Sequence, residues 1–207
     1  MLKIWGRNTS VNVQKVMWAV GELDLPHERI DVGGSFGKNR EPAYLAMNPN
    51  GLVPTLEEDG FVLWESNSIV RYLAAKYGSG TLAPADLRAR ARASSWMDWQ
   101  LTVAAPALTP VFWGLVRTPP EKRDHAAIEA GKVKSMAAMK ILDAQLAKSP
   151  FVAGDALSMG DIPVALMAYR FRRLVPERPG LDHLERWFTT IEQRPAFKEH
   201  VLAVPFV

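Results

Sequence analysis

The order of hydrophobic patterns along the 207 residues predicts an α/β domain over residues 1–78 followed by an all-α helical domain over 86–207. Three observations predict it. Short alternating stretches interleave with helical ones as far as Tyr77, residues 79–85 read as a flexible polar linker, and the apolar runs beyond the linker have helical spacing.

Leu2-Lys3-Ile4-Trp5 alternates apolar and polar as a short strand and stops at Gly6. Arg7-Asn8-Thr9-Ser10 is a loop of capping residues, after which Val13, Val16, Met17 and Val20 recur at helical spacing until Gly21 or Asp24. His27–Val32 reads as a second strand, Gly33–Asn39 as a flexible loop, and Tyr44, Leu45 and Met47 as a short helix. Asn48-Pro49-Asn50-Gly51 is a turn, because Pro presets φ and Asn-Gly tolerates positive φ. Val53-Pro54 then opens a strand, where a proline, with no N–H for the ladder, is tolerated and where a cis peptide is possible. Thr55-Leu56-Glu57 and Phe61-Val62-Leu63 form a hairpin about Asp59-Gly60, and a helix runs from Glu65 to about Tyr77.

Beyond the linker, a helix over 86–117 carries Trp96, Trp99 and Val103 and is expected to bend or break near Pro106 and Pro110. An alanine-rich helix over 120–148 is expected to start at Pro119-Pro120. Leu157-Ser158-Met159-Gly160-Asp161-Ile162 opens a further helix. Ser158 at N-cap and Asp161 at N3 make a capping-box arrangement, and Leu157 and Ile162 occupy hydrophobic-staple positions. Two helices about Leu184-Trp187-Ile191 and Pro195-Ala196-Phe197 finish the chain.

Composition narrows the function classes. Zero cysteines exclude disulfides, zinc-thiolate sites and a cysteine nucleophile. A balance of 25 basic against 22 acidic residues, dispersed along the chain, gives no nucleic-acid footprint; Arg88 and Arg92 share a helical face that reads as solvated. No run of about 18 apolar residues suggests a membrane span, and no signal peptide is apparent, so a cytoplasmic location is expected by default. His27, His125, His183 and His200 are too scattered for a metal site, and none is expected.

The central stretch has chemistry of its own. A backbone edge at Val53, next to a helix start at Glu65-Ser66 whose N–H groups favour a carboxylate, describes a receptor for a short acidic peptide. Asn-Pro-x-Gly-x-Val-Pro followed by that Glu-Ser helix start resembles the glutathione site of the glutathione S-transferase family. The β-α-β-α-β-β-α order is likewise similar to a thioredoxin-like domain, and the Ser158-x-x-Asp161 box resembles one typical of the family's second domain.

The resemblance implies glutathione as co-substrate, a small aromatic or apolar electrophile as the second substrate, and a homodimer. Val53 would hold the cysteinyl amide, Pro54 would be the cis proline, Glu65 would take the γ-glutamyl ammonium and Ser66 its carboxylate. Asn39, with Lys38 beside it, falls near the expected glycyl carboxylate. Leu52 stands where a Lys is common, and Ser94 where theta-type members supply an Asp to their partner. Activating a thiol requires a donor facing its sulfur. No tyrosine or cysteine lies between Gly6 and Lys15, which points to the Ser-type, theta-like branch with Ser10 as first candidate and Asn12 as partner or substitute; Ser10 as a plain helix cap is the alternative. Arg7, Trp5, Phe112, Trp113 and Arg117 are candidates for a second-substrate pocket expected between the domains, with core packing the alternative for Phe112 and Trp113. Glutathione-dependent peroxide or disulfide reduction, ether cleavage, and non-catalytic ligand binding on the same fold remain the rival functions.

Overall fold

A computed structural model describes all 207 residues. The chain forms two compact units, one of Met1–Ala83 with Arg194–Phe206, the other of Pro84–Gln193 with Val207.

In the first unit β1 (Leu2–Trp5), α1 (Val11–Glu22), β2 (His27–Ile30), α2 (Pro42–Met47), β3 (Thr55–Glu58), β4 (Phe61–Trp64) and α3 (Ser66–Tyr77) follow the expected order. The sheet runs β2-β1-β3-β4, with β1 parallel to β2 and β3 antiparallel to both neighbours. Leu2 pairs with Glu58 and Ile4 with Leu56, so these four side chains share one face, and all are buried. Lys3, Trp5, Thr55 and Glu57 line the other face, where Tyr44 of α2 hydrogen-bonds Thr55. The hairpin turn takes positive φ at both Asp59 (49°) and Gly60 (86°), the requirement of a type I′ turn.

Glu58 is the polar member of the buried face. Lys76 bridges to it at 2.8 Å, and the hydroxyls of Tyr72 and Tyr77 both donate to it. Burial alone would raise its pKa, but these three donors hold the carboxyl down to about 2. Its contribution to stability is therefore fully present above the ordinary value of 4.5 and is lost as pH falls from there towards 2. Glu58→Gln should flatten that acid limb. Urea midpoints at about pH 5 and about pH 3 should differ less in the variant than in the parent, and equal slopes would remove Glu58 from the acid response.

Residues 194–206 belong with the first unit, unlike the expectation of a second domain over 86–207. The cause is specific. Phe197 meets the Trp18 ring edge-on at 4.8 Å between centroids, and Arg194 pairs with Glu22 through contacts of 2.5 and 2.7 Å, while Trp18 also donates to Glu22.

The second unit contains α4 (Leu87–Trp99), α5 (Ala105–Phe112), α6 (His125–Leu146), α7 (Asp161–Leu174) and α8 (Asp182–Glu192); the short α9 (Pro195–Phe197) lies in the first unit. The helix over 87–117 is not broken at its prolines. It continues through widened π turns at Gln100–Ala104 and Trp113–Arg117, which flank the segment holding Pro106 and Pro110. A proline ring clashes with the carbonyl four residues earlier, and a local widening is one way to relieve this. By length and composition this stretch could cross a membrane, and 33% of its most apolar part is buried, Ala104, Ala107, Leu108, Val111 and Phe112 among the buried residues. A Cβ on Gly131 of α6 would come within 2.7 Å of Val111, so glycine permits that close approach.

The alanine-rich helix starts later than expected. Asp124 caps α6 by accepting the Ala127 N–H at 2.9 Å, and Pro120–Lys122 forms only a single 3-10 turn. At α7 the capping arrangement is also modified. The Asp161 carboxylate accepts the Ser158 N–H (2.9 Å), as in a capping box, but the Ser158 hydroxyl accepts from Gly160 rather than from Asp161. Asp161 additionally accepts from the Ser158 hydroxyl (2.9 Å), Val152 N–H (3.0 Å) and Trp187 Nε1–H (3.1 Å). Complete burial pushes its carboxyl up to about 6 although all four donors pull the other way.

Candidate active site

The loop after β1 is fixed by its main chain. The Arg7 N–H donates to Val32 O (3.0 Å), the Ser10 N–H to Arg7 O (3.2 Å), and the Gln14 N–H to Ser10 O (2.9 Å). Ser10 thus occupies the N-cap position of α1 with extended backbone, but its side chain makes no capping hydrogen bond. The hydroxyl stands half-buried at the positive end of a helix dipole. Asn12, one turn-position further on, is exposed. The Arg7 side chain lies across the loop before α2, where a Cβ on Gly34 would come within 2.9 Å of its Cδ.

The Val53–Pro54 peptide is cis. The β1–β3 register begins at Thr55, which leaves Val53 outside the ladder. The preceding turn is held from within. Asn48 accepts the Asn50 N–H (3.1 Å) and donates to Leu52 O (2.9 Å), and Tyr44 donates to Leu52 O (2.7 Å) while bonding the Thr55 hydroxyl (2.9 Å). Burial raises the Tyr44 phenol above its ordinary pKa, so it stays protonated. Asn39 donates its amide to Gly51 O at 2.8 Å, which gives that residue a structural partner beyond the expected one; Lys38 beside it is exposed at φ 65°.

At the start of α3, Glu65 adopts φ 71°, ψ 109°, and is exposed, while Ser66 is buried. Positive φ in a non-glycine residue costs roughly 1–3 kcal/mol and persists only where the surroundings enforce it. A contact from α1 also reaches this helix start. Lys15 of α1 is fully buried and its ammonium lies 3.4 Å from the Ser66 hydroxyl. Helical periodicity marked Val13, Val16, Met17 and Val20 as the inner face, but every residue from Val13 to Val20 is buried, so period alone could not single out a lysine there.

The remaining candidates divide between the units. Trp5 donates its indole N–H to Glu57 at 3.2 Å on the sheet face of α2. In the second unit Phe112 is buried, Trp113 is 58% exposed, and Arg117 lies 5.7 Å from the Phe112 ring while donating to Val207 O at 2.7 Å. His27 and His200 do approach, with ring centroids 6.4 Å apart, and burial holds the His200 pKa below its ordinary value. No group of three or more His, Asp or Glu side chains is arranged to hold a metal ion.

The glutathione S-transferase N-terminal domain matches residues 9–76, and the C-terminal domain of the same family matches residues 104–195. Glutathione S-transferase GstB of Escherichia coli (strain K12) is 44% identical over 204 residues, 98% of each chain. Glutathione S-transferase 3 of Zea mays is 32% identical over 212 residues, covering 99% of this chain and 95% of its own. Among solved structures, a theta class glutathione S-transferase of Xanthomonas axonopodis pv. citri with glutathione bound superposes with a TM-score of 0.94 at 43% identity, covering 100% of this chain and 99% of that one. With a four-stranded sheet carrying cis Val53–Pro54, an α3 start at Glu65-Ser66 and a helical second unit, this chain belongs to the glutathione S-transferase family.

Proposed function

We propose that this protein binds glutathione and transfers its thiolate to a small, aromatic or apolar electrophile. The sulfur lone pair forms the new carbon–sulfur bond, and the leaving group departs with the electrons of the bond it breaks. The α3 start carries this reading. A carboxylate at Glu65, a buried hydroxyl at Ser66 and the helix N-terminus suit the ammonium and carboxylate of a γ-glutamyl group. Val53, outside the ladder, supplies the edge for the cysteinyl amide, with Pro54 following it, and Lys38 and Asn39 lie in the loop assigned to the glycyl end.

Thiol activation falls to Ser10. A hydroxyl that does not cap its own helix has its proton available for a thiolate, and Asn12 is the second donor on the same turn. Phe112, Trp113 and Arg117 are the residues of the second unit assigned to the electrophile. A homodimer belongs to the same reading. It is supported by Leu101, Val103, Val133 and Ile141, apolar side chains left exposed on α4–α6 of the second unit. A cytoplasmic location is proposed on the same resemblance.

Glu65→Ala should weaken glutathione binding by about 1–3 kcal/mol, the cost of leaving a charged partner unpaired. Calorimetry giving unchanged affinity in a folded variant would take Glu65 out of the site.

A further inference from the structure

Within the first unit, Arg194 and Phe197 hold α9 on α1 through Glu22 and Trp18. Beyond Phe197 the chain turns through Lys198–Leu202 and lies against α1 and β2. A Cβ on Gly21 of α1 would come within 2.8 Å of Ala196 and 3.0 Å of the His200 ring, so glycine permits this close approach. Val201 is fully buried beside it, and only 14% of the His200 side chain is exposed. His200 lines a cavity of about 260 Å³ together with Asn8, His27, Arg29 and Glu199. The His27 Nδ1 lies 2.9 Å from Leu25 O, which can only accept, so a further proton on that ring would go to Nε2. The two ring centroids are 6.4 Å apart. The acids nearby offer His200 little. Asp31 is paired with Arg29 and Glu22 with Arg194, Lys198 adds a cation on the turn itself, and Glu199 stands 3.8 Å away with 74% of its side chain in solvent.

We infer that residues 198–206 form an acid-released strap, closed on α1 and β2 while the His200 imidazole is neutral and freed when that ring takes up a proton beside His27 and Arg29. A neutral imidazole tolerates this half-buried seat; an imidazolium there is short of solvent and close to other cations. Burial is the main cause of a His200 pKa below the ordinary 6.5, with Glu199 opposing the shift and His27 adding to it. Once the strap opens, the ring titrates at its ordinary value, so the open form binds the proton more readily. Closure is therefore at full strength above 6.5 and weakens as pH falls below it. The anchors at Arg194 and Phe197 involve no histidine, so release begins beyond α9. It also reaches the loop that opens α1, because Asn8, two residues ahead of Ser10, lines the same cavity. The strap needs no glutathione and stands whether or not the chain is a transferase.

Hydrogen exchange of the full chain, followed by mass spectrometry and corrected for the intrinsic effect of pH, reads the release. Between about pH 7.5 and about pH 5.5, peptides from 198–206 should lose protection by about three- to tenfold, ten being roughly the limit for one proton bound only in the open form. Peptides from α3, in the same unit, should keep theirs. His200→Gln should remove the pH dependence, and His27→Gln should reduce it. If His200→Gln does not fold, the imidazole signal of His200 in the parent carries the test by NMR. It should titrate below 6.5, in step with the loss of protection. Constant protection in the parent, an equal loss across α3, or a loss that persists in folded His200→Gln overturns the strap. A His200 ring that titrates at or above its ordinary value does the same.

Discussion

Replacing Asp161 with alanine is expected to lower the stability of the protein by about 3–5 kcal/mol, through loss of a buried acceptor shared by several donors. Ser158, Val152 and Trp187 each direct an N–H at its carboxylate within 3.1 Å, and none of these groups can reach water when the side chain is removed. For a chain of this length the melting temperature should drop by roughly 10 °C. Asp161→Asn should lose less, because one oxygen still accepts while the new NH2 faces a donor. Ser158→Ala, which removes one bond to Asp161 and one from Gly160, should cost about 0.5–2 kcal/mol. Turnover measured well below the melting transition should be unaffected in all three. A melting point for Asp161→Ala within a degree of the parent would show that the carboxylate is not the tie between connector, α7 and α8.

Ser10→Ala is expected to cut turnover by about ten- to a hundredfold while glutathione affinity stays nearly constant. A hydroxyl that bonds only the ionised sulfur stabilises the reactive form, so its loss appears in rate and in the thiol pKa rather than in binding. The pKa of bound glutathione should rise towards the free value of about 8.5. Thiolate absorbance followed against pH in Ser10→Ala, Asn12→Ala and the double variant separates the two donors. A shift confined to Asn12→Ala would transfer the role, and a titration unmoved by all three would assign activation to main-chain N–H groups and the α1 dipole.

Much of the first unit was legible because its signals are local. Asn48-Pro49-Asn50-Gly51 and Asp59-Gly60 announce turns through their φ requirements, and Pro54 marks a strand start through its missing N–H. The same is true of Ser158 and Asp161, where spacing revealed the box but not the added bonds from Val152 and Trp187, which are 9 and 26 residues from Asp161. Contacts between distant segments left no such trace. Lys15 looks like a surface residue until α1 is covered on all sides, and Arg170 reads as one of several arginines near the end of α7 until Phe112 is seen beneath it. The start of α6 was misplaced because Pro119-Pro120 is a plausible opening, whereas the cap was provided by Asp124.

The pairing of residues 194–206 with the first unit bears on how the protein can be made. During synthesis the first 83 residues emerge long before the segment that covers Trp18 and neutralises Glu22. The α/β unit therefore waits with an uncovered indole face and an unmatched carboxylate while the entire helical unit is translated. Its completion is tied to residues 194–206, so the α/β unit can close only after the intervening helical segment has been made.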